Sequence, residues 1–279
     1  MCQFCHQHGE GKKWYLQAKN YADDLLSDAR RREMIRGFFK DDGEHLREQV
    51  ESLEQLARAP RIVRSLIGPL VTRTQKRQHF GQVVPIEEVE KILDMVNQVV
   101  RVACICRRVT RGEDARYCFG VTLSPDISRL TELVDDSFLQ GPDGTELEVM
   151  DKADALQFMR DAEPDGVLHS VWTFVTPFIG GICNCDRSDC IAMRSTVTLG
   201  AKVMFRAEYV AEVDWDKCTG CRRCMQVCQF GALGFSATAH KVIVDQQACY
   251  GCGVCRAVCQ QDAMRLVERS SVPEVANVW

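Results

Sequence analysis

The chain has 279 residues, with 35 Lys and Arg against 39 Asp and Glu for a formal charge of −4, and 16 cysteines. At this length one core tends to split, so two or three domains are expected. No helix-turn-helix, zinc-finger or aromatic stacking signature points to nucleic acid, and no apolar run approaches the roughly 18 to 20 residues that span a bilayer. With no export signal after Met1, so many cysteines indicate a reducing, cytoplasmic setting rather than disulfides.

In chain order, the N-terminus reads Cys2-Gln-Phe-Cys5-His6, with His8 next. Formally this is the haem-attachment string, but attachment takes place outside the cytoplasm. A soft-metal site is the better reading. Cys2 and Cys5 either complete a centre begun by the cysteines of the central region or bind zinc with His6 or His8. Residues 14 to 40 carry Trp14, Leu16, Tyr21, Leu25, Leu26, Met34 and Phe38 at helical spacing, and a second helix is expected over 44 to 58. Gly68-Pro69 and Gly81 interrupt residues 61 to 84, which read as a connector. No acid occurs between Glu54 and Glu87, whereas Arg58, Arg61, Arg64, Arg73, Lys76 and Arg77 do. That segment is a solvated basic face or a dock for an acidic partner.

Pro85 opens a helix through Gln98 with Val89, Ile92, Leu93 and Val96 on one face. Residues 99 to 105 are β-like. Helices follow over 127 to 133 and 151 to 162, then an extended run over 166 to 174 that holds His169, read as a core histidine, while His79 has no context that raises it. This central stretch carries two C-x-C pairs, Cys104 with Cys106 and Cys183 with Cys185, and two further cysteines, Cys118 and Cys190. If residues 102 to 106 are a strand, the thiols of such a pair face one side and can address one site. Arg107, Arg108 and Arg111 beside the first pair favour thiolate. Together these six cysteines form a candidate metal centre: one or two additional iron-sulfur clusters, or a zinc ion.

Residues 203 to 213 lead into a repeat. Cys218, Cys221, Cys224 and Cys228 recur 31 residues later as Cys249, Cys252, Cys255 and Cys259, each run reading C-x2-C-x2-C-x3-C. Val213-Asp214 matches Val244-Asp245, and Gly220 matches Gly251. Three thiolates on a tight loop hold three corners of a cubane while the fourth points at the other cluster. Two [4Fe-4S] clusters with crossed ligation are expected, one on Cys218, Cys221, Cys224 and Cys259, the other on Cys249, Cys252, Cys255 and Cys228.

Residues 208 to 268 resemble the bacterial two-cluster ferredoxin family, which implies a pseudo-two-fold pair of hairpins and helical turns around the cubanes. The family usually has Pro after the fourth cysteine of each run, where this chain has Gln229 and Gln260. A change in hydrogen bonding to sulfur is expected from them. The strings Cys104-Ile-Cys-Arg, Tyr117-Cys-Phe-Gly, Val167-Leu-His-Ser and Gly181-Ile-Cys-Asn-Cys extend a resemblance over residues 99 to 268, to anaerobe iron-sulfur proteins that join such a domain to a ferredoxin. That likeness implies redox work and names no substrate.

The expected fold class is α+β: a helical N-terminal region over 1–84, a mixed cysteine-rich domain over 85–207, the cluster module over 208–268 and a tail over 269–279. No phosphate-binding loop, dinucleotide loop, H-E-x-x-H or serine-triad string is present. The expected function is electron transfer between redox partners, within a complex, with neither nucleic acid nor a membrane span. Whether the chain is itself an enzyme is open. The alternatives are an iron-sulfur reductase with an active cluster or reactive thiol in the central domain, and a cluster-based sensor, for which no effector element is found.

Overall fold

A computed structural model describes residues 13–40, 43–141, 147–200 and 202–278. Cys2, Cys5, His6 and His8 lie outside the described residues. Three helices, α1 (Ala29–Phe38), α2 (Glu44–Ala57) and α3 (Arg61–Gln78), precede β1 (Gly81–Val84). The central region runs α4 (Ile86–Met95), β2 (Gln98–Val102), α5 (Ile105–Arg111), β3 (Cys118–Thr122), α6 (Ser128–Thr131), α7 (Asp136–Leu139), β4 (Glu148–Val149) and α8 (Lys152–Ala162). It continues with β5 (Leu168–Thr173), β6 (Ile179–Cys185), α9 (Ile191–Leu199) and β7 (Met204–Phe205). The C-terminal module comprises β8 (Tyr209–Val213), α10 (Arg223–Gln226), β9 (Leu233–Ser236), β10 (Lys241–Val244), α11 (Val254–Ala257) and β11 (Met264–Glu268). Helices and strands are thus mixed, as expected of an α+β chain.

The described residues build a seven-stranded sheet in the order β4-β2-β3-β6-β5-β1-β7, antiparallel except where β7 runs parallel to β1. Because successive side chains alternate between faces, each strand serves two cores. One face carries Val99, Phe119, Val171 and Ile182, covered by Val89 and Ile92 of α4, Ala155 and Met159 of α8, and Trp14, Tyr15 and Tyr21 from the N-terminal turns. Onto the other face project Val100, Val102, Cys118, Cys183 and Trp172. Local chemistry explains the flanking helices. Glu87 and Glu88 sit in the first turn of α4, where the helix dipole favours acids, and the Asp151 carboxylate caps α8 by accepting from the Ala153 N–H at 2.7 Å.

Three sequence expectations are corrected. Residues 14 to 28 are not one helix but three 3-10 turns, Trp14–Leu16, Ala18–Tyr21 and Asp23–Ser27. Each turn is closed by an i to i+3 bond, from the Gln17 N–H to the Trp14 carbonyl at 3.3 Å, from Ala22 to Lys19 at 3.4 Å and from Asp28 to Leu25 at 3.4 Å. The expected connector contains the continuous helix α3, with Pro69 inside it; the missing proline N–H costs about 3 kcal/mol but does not end the helix. Finally, β2 stops at Val102, and Cys104 is the N-cap of α5 rather than a strand residue.

In the module, β8 pairs with β11 and β9 with β10, both antiparallel, with one cysteine loop and one helical turn in each half.

Candidate iron-sulfur and sulfur-ring centres

The two cysteine loops of the module are built alike. Gly220 and Gly251 both have φ of +71°, and a Cβ would stand 2.3 Å from the His240 carbonyl oxygen at one and 2.0 Å from that of Tyr209 at the other. Only glycine lets each loop lie this close to its neighbouring backbone. The sulfurs receive backbone donors in the same register: Ala232 N–H donates to Cys228 Sγ and Ala263 N–H to Cys259 Sγ, each at 3.3 Å. Cys249 Sγ accepts from the Ala211 and Gly251 N–H groups at 3.4 Å. Such N–H···S bonds and an all-cysteine donor set fit a [4Fe-4S] cubane.

Each fourth cysteine stands with the opposite run. Burial pushes the Cys224 thiol up to about 11, and its neighbours Cys259, Cys221 and Cys218 add to the effect. Cys252 is pushed up to about 12 by burial, with Cys249 and Cys228 beside it. Burial also raises Cys255, next to Cys252, Cys249 and Cys228. Cys221 is exposed, and the Arg223 N–H lowers its thiol.

Gln229 and Gln260 act otherwise than expected. Their side chains tie loops together rather than touching sulfur: Gln229 donates to the Gly166 carbonyl at 2.9 Å and accepts from the Arg187 N–H at 3.0 Å, while Gln260 accepts from Arg223. Gln229 thereby links the module to both ends of the β5–β6 hairpin. A buried residue that sequence reasoning missed, Arg269, donates to the carbonyls of Ala207, Tyr209 and Cys249 and pins the second cysteine loop to the central domain.

The six central cysteines converge. Cys118 and Cys183 are direct partners across β3 and β6, with Sγ atoms 3.5 Å apart, and all six thiols are free. Cys185 follows Cys183 on the same face of β6. Cys104 caps α5, with Cys106 in its first turn, and Cys190 caps α9. Each thiol perturbs the titration of two others in a closed order, Cys104 with Cys106, then Cys190, Cys185, Cys183, Cys118 and back to Cys104. Accepting from its two neighbours, Cys106 and Cys118, holds Cys104 far below the usual thiol range; Cys183 is lowered to about 7 by Cys118 and Cys185. Among the described residues, no group of three or more His, Cys, Asp or Glu converges tightly enough for a single metal ion, and this applies to the ferredoxin quartets as much as to the ring.

Of the three arginines near the first pair, only Arg107 meets a sulfur, with Nη1 3.9 Å from Cys104 Sγ. It also donates to Asp186 at 2.5 Å, to Asp189 at 3.1 Å and to the Asn184 carbonyl at 3.1 Å, and lies 3.9 Å over the Tyr117 ring. Arg111 serves Asp189, while Arg108 turns to Ser137 and Asp114. Arg107 therefore clamps the helix of the first pair to the loop after the second. His169 is fully buried and donates through Nδ1 to Asn184 Oδ1 at 2.7 Å, steadying the residue between Cys183 and Cys185.

Beside the ring lies a cavity of about 680 Å³, bordered by all six cysteines and by Phe38, Phe39, His79, Trp172 and Phe174. His79 donates through Nδ1 to the Thr173 carbonyl at 2.6 Å, and burial lowers its pKa to about 4.

Comparison with curated proteins found no match. The family model for the 4Fe-4S binding domain does match, over residues 211–234. The chain thus carries an iron-sulfur domain of ferredoxin type near its C-terminus, with at least one [4Fe-4S] cluster and the electron-transfer role that such a cluster brings.

Proposed function

We propose that this is an iron-sulfur redox protein with two [4Fe-4S] clusters in the module and a third, multi-thiolate centre in the central domain. Cys218, Cys221, Cys224 and Cys259 would hold the outer cluster, and Cys249, Cys252, Cys255 and Cys228 the inner one. Bound clusters supply one-electron carriers. The observation that carries this reading is a shared core: Cys185 and Cys190 of the ring pack in one apolar cluster with Met193, Val227, Tyr250 and Val254, against which Cys183 and Cys252 also lie. Cys252 of the inner quartet thus lies against the same apolar core as three cysteines of the ring. The Phe230 and Tyr250 rings stack at 3.9 Å within the same core.

The order of use follows from exposure. Cys221 is at the surface, with Arg222 and Arg223 next to it in sequence, so a redox partner would meet the outer quartet, and an acidic one best. No cysteine of the inner quartet or of the ring is exposed as Cys221 is. Gln229 and Arg269 hold the two bodies in register. Six thiolates exceed the four that a single cubane or zinc ion takes, which favours a polynuclear centre. The cavity on the ring supports a second reading, in which the central centre reduces a small molecule rather than passing electrons onward.

Anaerobic iron, sulfide and zinc analysis tests this. Two cubanes require eight irons per chain, and an iron-based third centre requires more. Cys104→Ser should remove only the excess above eight. Four irons would overturn the two-cluster module, and an unchanged count in Cys104→Ser would overturn an iron centre in the ring. Zinc there would replace iron at the third site.

A further inference from the structure

We propose that the cavity beside the sulfur ring is a binding chamber for a planar, uncharged aromatic molecule bearing one O–H or N–H donor. The proposal names the ligand class for the second reading above, and it rests on that reading only for what would happen to the ligand, not for its binding.

The floor comes from strand register. On the ring face of the sheet, Cys118 pairs with Cys183, and the next same-face pair is Gly120 with Gly181. Val100 of β2 lies opposite Gly120, and Trp172 of β5 opposite Gly181. Gly181 leaves its stretch of backbone bare beside Trp172, one strand period, about 7 Å, from the nearest ring cysteines; a Cβ there would meet only the Phe119 carbonyl oxygen, at 3.1 Å, whereas the Val100 and Leu130 side chains lean over Gly120, 2.9 and 3.5 Å from where its Cβ would stand. Both glycines keep accessible surface there, although the strands around them are largely buried. A centre held by the sulfurs therefore leaves this end of the cavity open.

The walls are aromatic. His79 is packed by Phe38, Trp172 and Phe174, with ring centroids 4.8, 4.9 and 4.9 Å away, and Phe39 stands 6.1 Å from Phe174. Flat rings favour a flat guest by offset or edge contacts. Charges on the lining are spent on one another: Arg107 on Asp186 and Asp189, and Asp189 also on Arg111. Apart from the exposed Glu48 carboxylate at the rim, a charged guest would find no free counter-ion among the described lining residues, and burying its charge would be costly. The Trp172 Nε1–H is taken by Ser170 Oγ at 2.9 Å. The aromatic wall does offer an acceptor. With Nδ1–H committed to Thr173 and the ring neutral, His79 Nε2 carries a lone pair, and it suits a hydroxyl or an N–H. Exposed Glu48 and Ser52 on α2 mark the rim. The whole cavity, including the space beside the sulfurs that a centre would take, lies within the range of about 300 to 1,000 Å³ usual for small-molecule sites.

Calorimetric titration of the anaerobic holoprotein with 1-naphthol, naphthalene and 1-naphthalenesulfonate tests the chamber, with iron measured on every sample. One 1-naphthol should bind per chain, naphthalene about tenfold more weakly for want of the hydrogen bond, and the sulfonate at least about a hundredfold more weakly. His79→Phe should erase the difference between naphthol and naphthalene. Gly181→Val, whose φ is ordinary, should lower naphthol affinity at least about tenfold by standing a side chain on the floor. Absence of naphthol binding to the wild type, equal affinity for the sulfonate, or unaltered binding in both variants would overturn the proposal. Cys104→Ser separates the two claims. Naphthol binding with iron unchanged in that variant supports the chamber and ends the iron centre, whereas iron loss with no naphthol binding even in the wild type does the reverse.

Discussion

Replacing Arg107 by Met is the sharpest single perturbation of the central domain. The side chain is 6 % exposed and pairs with Asp186 at 2.5 Å and Asp189 at 3.1 Å. Deleting one partner of a buried ion pair costs about 3 to 5 kcal/mol, because the remaining charge is left without compensation. Asp189 keeps Arg111 at 2.6 Å, so the loss falls mainly on Asp186, which is 16 % exposed, and the lower end, about 3 kcal/mol, applies. At roughly 2 to 4 °C per kcal/mol for a chain of this size, the thermal midpoint should drop by roughly 6 to 12 °C at a fixed scan rate. Iron above eight per chain should fall as well, since Arg107 joins the Cys104–Cys106 helix to the loop after Cys185. Adding Asp186→Asn should restore at least about 1 kcal/mol by removing the stranded charge. A shift under about 2 °C, or no recovery in the double variant, would refute a clamp made of buried charge.

Other expectations concern the module and His79. Gly251→Ala should strip iron from the module and lower its stability by at least about 2 kcal/mol, since the new Cβ would meet the Tyr209 oxygen at 2.0 Å. By contrast, Gly231→Ala, with φ of +66° but open space around it, should cost only about 1 kcal/mol and keep all iron. Urea midpoints of the two variants, with iron counts, decide. If ligation is crossed as proposed, with Cys228 and Cys259 each serving the other run, Cys221→Ser should cost iron in the outer quartet and weaken the inner one too; electron paramagnetic resonance of the reduced protein would show loss in both signals. For His79, a folded pKa of about 4 lies below the unfolded value of about 6.5, so its contribution is full above 6.5 and fades as pH falls towards 4. Between pH 7 and 5.5 the wild type should lose about 1.2 kcal/mol that His79→Phe does not lose, read from urea midpoints at the two pH values.

The sequence exposed whatever depends on local spacing. The duplicated cysteine runs needed no tertiary knowledge, since loop and helical turn lie within eleven residues of one another. Helix α8, with its Asp151 cap, and strand β5 were legible for the same reason. What escaped depends on partners far along the chain. The sequence groups the six central cysteines as one candidate centre, but that β3 lies beside β6 and sets Cys118 against Cys183 is announced by nothing in either segment. Cys104 was read as strand because Val99, Val100 and Val102 before it are β-like, yet the chain turns into α5 there. His79 was passed over because the rings that surround it come from residues 38, 172 and 174. Its immediate neighbours in sequence, Gln78 and Phe80, carry no such signal.

Iron-edge anomalous scattering from anaerobically grown crystals tests the third centre most directly. Three groups of peaks are expected: one among Cys218, Cys221, Cys224 and Cys259, one among Cys249, Cys252, Cys255 and Cys228, and one inside the ring of Cys104, Cys106, Cys118, Cys183, Cys185 and Cys190. Full signal at the first two with none inside the ring, in protein that retains all its iron, would contradict it.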